Sequence, residues 1–259
     1  MSQLRFASLG SGSRGNATLV ATGETMVLVD CGFSVSQVEH RMAQLDASPD
    51  QLAGILVTHE HADHMGGVPR LARKYGLPVW MTTGTFRAAR SPSLPSRHLI
   101  NGHESFAVDG LHVQPYPVPH DAREPCQYVF SDGDCTLGIL SDAGDITPHI
   151  RMCLDGLSAL MLEFNHDLDM LAEGPYPPEL RARVGGPLGH LNNLQAVDLL
   201  QSLDRTRLQH LVAGHISEKN NTKERVLAAV RAVLPDEAGG MEFATQGKGF
   251  DWRAVQGSN

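Results

Sequence analysis

The run Thr58-His59-Glu60-His61-Ala62-Asp63-His64 constrains this chain more than any other stretch, because it places three imidazoles and the carboxylate of Asp63 in an HxHxDH pattern within six residues. The apolar Gly54-Ile55-Leu56-Val57 leads straight into it, and Met65-Gly66-Gly67-Val68 follows as the start of a helix. A buried strand therefore delivers the cluster to a turn. Neutral imidazole and carboxylate are ligands that divalent zinc, manganese and iron accept. Such a polar cluster beside a core strand is costly unless it is partnered. The reading is a metal site at the end of a strand.

The rest of the chain says what kind of body carries that site. With 259 residues, 41% of them hydrophobic and 19% charged, the chain can bury a full core as one domain spanning 1–259. A formal net charge of −8 rules out a global basic footprint for nucleic acid, although bound cations can still hold phosphates locally. Cys31, Cys126, Cys135 and Cys153 are widely spaced with no CxxC pair, which fits a reduced compartment and small core side chains better than a disulfide framework. Thiolate ligation stays open for Cys31 and Cys126. The N-terminus lacks a basic segment followed by a long apolar core, and the apolar run at Leu157–Leu162 is too short to span a bilayer. A cytoplasmic protein with no membrane association is expected.

Strand patterns recur at 4–9, 18–21, 26–29, 54–57, 79–81, 105–108, 111–118, 127–130, 135–140, 159–162 and 208–213. Amphipathic helices are predicted over 36–45, 68–75, 84–89, 191–203 and 222–233, the first from Val35, Val38, Met42 and Leu45 at helical spacing. Asn192 or Asn193, and Thr222, are the candidate N-caps. Residues 91–96 and 174–178 read as loops, and the chain from Gln256 onward as a frayed end. Strands with helices between and after them suggest two sheets, each covered outside by helices.

Six residues cannot close two metal spheres, so further donors must arrive downstream. His120 follows the run 113–118, Asp142 follows Gly138-Ile139-Leu140-Ser141, and His215 follows Leu211-Val212-Ala213-Gly214. Each stands where a buried strand emerges, as His59 does. At this point the chain resembles the metallo-β-lactamase superfamily, which implies an α/β fold built as a four-layer αββα sandwich. The resemblance implies that His59, His61 and His120 hold one divalent ion and Asp63, His64 and His215 another, with Asp142 bridging them. It also matches Asp30 in Val29-Asp30-Cys31-Gly32 to an early Asp-x-Gly turn that supports the site.

A narrower resemblance runs along almost the whole chain: Gly10-Ser11-Gly12-Ser13-Arg14-Gly15-Asn16, Glu163-Phe164-Asn165-His166-Asp167, Tyr176-Pro177, Gly189-His190-Leu191-Asn192-Asn193 and His215-Ile216-Ser217-Glu218-Lys219-Asn220-Asn221-Thr222. It is similar to the YycJ/WalJ (VicX) family, regarded as 5′-to-3′ DNA exonucleases. Phe164 and Asn192 stand where that family leads one to expect Ser, a departure that could retune a phosphate contact.

These residues suit a dinuclear-metal-dependent hydrolase. Two divalent ions (zinc or manganese, with iron as a third choice) can share a hydroxide and clamp an in-line phosphoryl displacement, Asp63 and Asp142 positioning the nucleophile. His166 and His190 are the candidates to protonate the leaving oxygen. Ser13 and Asn16, beside glycine-loop amides, and Asn165, Asn220 and Asn221 are candidate phosphate contacts, with helix capping the competing role for one of the last pair. Arg181 and Arg183 could touch a nucleic-acid backbone but read better as a solvated helix face. At 5% aromatic, no extended base-stacking platform is evident. The substrate implied is DNA; the alternative is a small-molecule hydrolase acting on a cyclic phosphodiester, thioester or lactone with the same metal core.

Overall fold

The computed structural model describes residues 3–90 and 92–257. Two seven-stranded sheets face each other. The first contains β1 (Arg5–Gly10), β2 (Ala17–Thr22), β3 (Thr25–Val29), β4 (Gly54–Leu56), β5 (Pro78–Thr82) and β6 (Ser96–Ile100). The second contains β7 (Phe106–Val108), β8 (Leu111–Pro117), β9 (Cys126–Ser131), β10 (Thr136–Leu140), β11 (Ala159–Glu163), β12 (His210–Gly214) and β13 (Glu242–Phe243). A last strand, β14 (Phe250–Ala254), returns to the first sheet antiparallel to β1, giving the orders β14-β1-β2-β3-β4-β5-β6 and β13-β12-β11-β10-β9-β8-β7.

Period-two alternation separates the layers. On β3, Val27 and Val29 point between the sheets, while Met26 and Leu28 pack outward. On β11, Ala159 and Met161 face inward and Leu160 and Leu162 outward. The outer face of the first sheet is covered by α1 (Val35–Ala43), with a four-residue α2 (Ala62–Met65), then α3 (Val68–Tyr75) and α4 (Thr83–Ala88). On the second sheet's side lie α5 (Pro148–Leu154), α6 (Leu168–Glu173), α7 (Pro178–Val184), α8 (Asn193–Ser202), α9 (Lys223–Arg231) and α10 (Pro235–Gly240). This is the four-layer αββα sandwich expected.

The expected N-caps resolve to Asn192 and Thr222. Asn192 forms a capping box with Gln195, and the Thr222 hydroxyl accepts the Arg225 amide. The supposed loop up to residue 96 leads into β6, and helices α5, α6 and α7 and strand β14 were not expected. Gln256 is not frayed: its amide and carbonyl both bond the Gln209 side chain. Residues 258 and 259 lie outside the described residues. No helix among the described residues is long and apolar enough to cross a membrane.

Candidate metal centre and active site

The cluster is assembled by the turn after β4. Asp30, just past β3, accepts the Thr58 amide on Oδ1 and the Thr58 hydroxyl on Oδ2, both at 2.8 Å. Its Oδ2 also takes the Nδ1 proton of His64 at 2.7 Å. The early Asp thus braces the turn, and Gly32 lets the two loops meet: a Cβ there would lie 1.9 Å from the Asp63 carbonyl oxygen. Asp30, Asp142 and His215 all have positive φ, at 60°, 52° and 51°. Each follows a strand end, and such backbone persists where surrounding bonds enforce it.

Four of the five histidines in the cluster, His59, His64, His120 and His215, are oriented by their second nitrogen. With the Thr58 hydroxyl donating to Asp30, its oxygen accepts Nδ1–H of His59 at 2.9 Å. His120 Nδ1 donates to the Gly189 carbonyl at 3.0 Å, and His215 Nδ1 to Glu163 Oε1 at 2.8 Å. In His59, His64, His120 and His215 these bonds leave Nε2 to bind a cation, the arrangement that fixes metal-ligating imidazoles. His59 Nε2, His215 Nε2 and Asp142 Oδ2 are buried without a hydrogen-bond partner.

Donor atoms of His59, His61 and His120 lie within 4.8 Å of one another, as do those of Asp63, His64 and His215. Asp142 reaches toward both groups, with Oδ2 3.1 Å from His64 Nε2 and Oδ1 3.8 Å from His120 Nε2. Converging lone pairs, buried carboxylates and orphaned donors fit a divalent metal.

The electrostatics point the same way. Burial opposes charge on His64 and His215, yet Asp142 leads the groups that push both up, with Asp30 also acting on His64 and Asp63 and Glu163 on His215, which reaches about 10. Burial pushes the Asp63 and Asp142 carboxyls up, but their histidine neighbours more than reverse this and hold both below the usual range. Without a cation, protonated histidines offset this negative charge.

Glu163, at the end of β11, is the residue that sequence reasoning missed. Fully buried, it accepts His190 Nδ1 at 2.9 Å, His215 Nδ1 at 2.8 Å and the amides of Ala143 and Leu191. Its signal was the same as for Asp142: a carboxylate closing an apolar run. Burial would raise its pKa, but His190 and His215 bring it down to about 2. Asp121 is the second omission, with Oδ1 3.4 Å from His120 Nε2 and 3.8 Å from His61 Nε2.

These groups open onto a cavity of about 230 Å³ bordered by His61, Asp63, His120, Asp142, His190 and His215. A family profile described as a beta-lactamase superfamily domain matches residues 25–216. The chain belongs to the β-lactamase superfamily. It is 33% identical over 242 residues to the exodeoxyribonuclease YycJ of Bacillus anthracis, covering 92% of each chain. Against the exodeoxyribonuclease WalJ of Streptococcus pneumoniae it is 30% identical over 226 residues, covering 85% of this chain and 84% of the relative. Its fold is similar to the crystal structure of the metallo-beta-lactamase fold protein YhfI from Bacillus subtilis, with a TM-score of 0.74 at 14% identity, covering 97% of this chain and 99% of that one.

Within this superfamily member the remaining candidates divide. His190 borders the cavity, whereas His166 is 1% exposed, does not border it, and is pushed by burial down to about 4. The two histidines share similar sequence surroundings but not a location. Ser13 and Asn165 border the cavity. Asn16 lies behind it, its Nδ2 3.0 Å from His64 Nε2 and 3.3 Å from Asp63 Oδ2.

The glycine loop offers fewer amides to an anion than expected. Those of Ser11, Gly12, Arg14 and Gly15 are bonded within the protein. Asn220 and Asn221 are buried away from the cavity wall. Asn220 bonds the Ser217 hydroxyl, while Asn221 pairs with Asn193 and takes the Thr222 amide, so neither is the N-cap. Phe164 is in the core and Asn192 caps α8, so neither departure from Ser faces the cavity. Arg183 bonds Asp121 at the cavity edge, and Arg181 bonds the Ala172 carbonyl. Cys31 and Cys126 are core thiols, each pushed by burial up to about 12, and neither belongs to a donor group.

Proposed function

We propose that this chain is a dinuclear-metal-dependent exodeoxyribonuclease, removing nucleotides from DNA in the 5′-to-3′ direction that its family resemblance implies. The observation that carries this reading is the pairing of two adjoining donor groups, one of His59, His61 and His120 and one of Asp63, His64 and His215, with Asp142 reaching toward both. Identity of 33% across 92% of an exodeoxyribonuclease supports the choice of substrate. Bound in these groups, two zinc or manganese ions supply Lewis acidity toward a phosphoryl oxygen and a nucleophile at neutral pH.

The chain's own residues do the rest. Asp63 and Asp142 position the attacking nucleophile on one side of the phosphate. His190, its Nδ1 bonded to Glu163, presents Nε2 to the cavity and donates a proton to the leaving oxygen. His166 takes no part, lying off the cavity wall. The negative net charge is offset locally by the cations the donor groups hold. A cytoplasmic setting goes with a DNA substrate and with four free, buried cysteines.

The test is degradation of end-labelled DNA by metal-stripped protein reloaded with manganese or zinc, beside His61→Ala. Metal-dependent release of nucleotides from one end, lost in the variant, is the expected result. Intact DNA together with turnover of bis-p-nitrophenyl phosphate would overturn it in favour of a small phosphodiester.

A further inference from the structure

Helix α7 lies beside the active site, and none of its residues is buried in the core. It is nonetheless amphipathic. Leu180 and Val184, four residues apart on one face, border the catalytic cavity. Tyr176 joins them from the preceding turn, where Pro175, Pro177 and Pro178 restrict the backbone on both sides of the ring. Among the described residues bordering the cavity, Tyr176 is the one aromatic side chain other than histidine. An apolar stripe turned toward a catalytic cavity instead of the core is a surface for a ligand.

The cavity's other wall carries the metal donors and His190, so a phosphodiester seated there has its attached nucleoside facing α7. About 230 Å³ falls below the range of roughly 300–1,000 Å³ that encloses a drug-sized ligand, so the cavity takes at most one nucleotide unit and not a strand. Lys219 is exposed, with its ammonium 5.6 Å from the centre of the Tyr176 ring. It puts a cation at the mouth, where the next phosphate of a chain would pass. Arg183, bonded to Asp121, ties α7 to the metal wall and fixes the spacing across the cavity.

Resting on the nuclease reading above, the structure assigns Tyr176, backed by Leu180 and Val184, as the wall on which the base of the terminal nucleotide stacks. A base held in this way has left its partner, so the substrate class is a single-stranded or frayed DNA end. Stacking on one ring is indifferent to base identity, because every base has a π-face. The wall therefore takes an unpaired terminal base of any identity, from a single strand or from a duplex end that has frayed.

The experiment is steady-state kinetics of the metal-loaded protein, Tyr176→Ala and Tyr176→Phe on single-stranded oligonucleotides with a normal or an abasic terminal nucleotide at the cleaved end. Tyr176→Ala is expected to raise KM for the normal end by roughly 5- to 150-fold with kcat little changed. Tyr176→Phe retains the wild-type KM. On the abasic end the wild type loses affinity by a similar factor, and Tyr176→Ala loses nothing further. An unchanged KM in Tyr176→Ala overturns the proposal, as does an undiminished penalty on the abasic end, which would make the ring a brace for its loop. If the metal-loaded wild type degrades a blunt duplex but neither single-stranded oligonucleotide, the proposal is overturned; if it cleaves no DNA at all, the nuclease reading itself has failed.

Discussion

The two sheets supply one site in opposite ways. The first sheet contributes His59, His61, Asp63 and His64 from a single turn after β4, and Asp30 braces that turn through three hydrogen bonds. The second contributes His120, Asp142, Glu163 and His215 from or just beyond separate strands, β8, β10, β11 and β12. One contribution is local and shares a support; the other is dispersed, and its unity comes from parallel strands ending at the same edge. Glu163 joins two dispersed members, His190 and His215, as Asp30 joins the local ones. Each half therefore has one carboxylate that faces its neighbours and not the cavity.

The comparison can be broken at either support. Glu163→Gln removes the negative charge beside His190 and His215 and leaves one oxygen where two served the histidines and the amides of Ala143 and Leu191, and kcat on DNA is expected to fall about 10²- to 10⁴-fold, matched by His190→Ala. If Glu163→Gln retained full kcat while His190→Ala did not, the two histidines would not depend on it. Asp30→Ala loosens the local half, and metal affinity measured by competition with a chelator should weaken about 10- to 100-fold. Affinity equal to wild type would mean that the turn holds its shape without Asp30.

Two milder substitutions sharpen the contrast between site and frame. His166→Leu should leave kcat unchanged, since that ring lies off the cavity wall; a loss as deep as that of His190→Ala would restore His166 as an acid. Asn192→Ala removes a capping box and should cost about 1 kcal/mol in denaturant unfolding without altering KM. A raised KM at unchanged stability would instead make Asn192 a substrate contact.

The same local-versus-dispersed contrast governs what could be read from the chain. HxHxDH is legible because it crowds four metal donors into six residues at the end of a buried strand, and Asp142 and His215 because each closes an apolar strand. Glu163 closes one too, but a lone carboxylate after Ala159-Leu160-Met161-Leu162 resembles any strand end until its two histidine partners are seen. Nothing local separates His166 from His190, since each sits in a polar turn beside Asn; burial, decided by packing across α6, α7 and α8, does.

Strand β6 escaped notice because Ser96-Arg97-His98-Leu99-Ile100 lies on the sheet edge with no buried residue and no alternation. Helix α7 escaped for a related reason: its apolar residues answer to the cavity, so no core-facing stripe announces it. The five helical segments read from the sequence, α1, α3, α4, α8 and α9, were recovered to within about two residues because their apolar faces pack on the sheets.

The most direct test of the two-group site is metal stoichiometry by elemental analysis, on wild type, His61→Ala and Asp63→Ala, each stripped and reloaded with manganese or zinc. Two ions per chain in the wild type and one in each variant is the predicted result. A single ion per wild-type chain, or a variant that keeps both, would contradict a centre assembled from two adjoining donor groups.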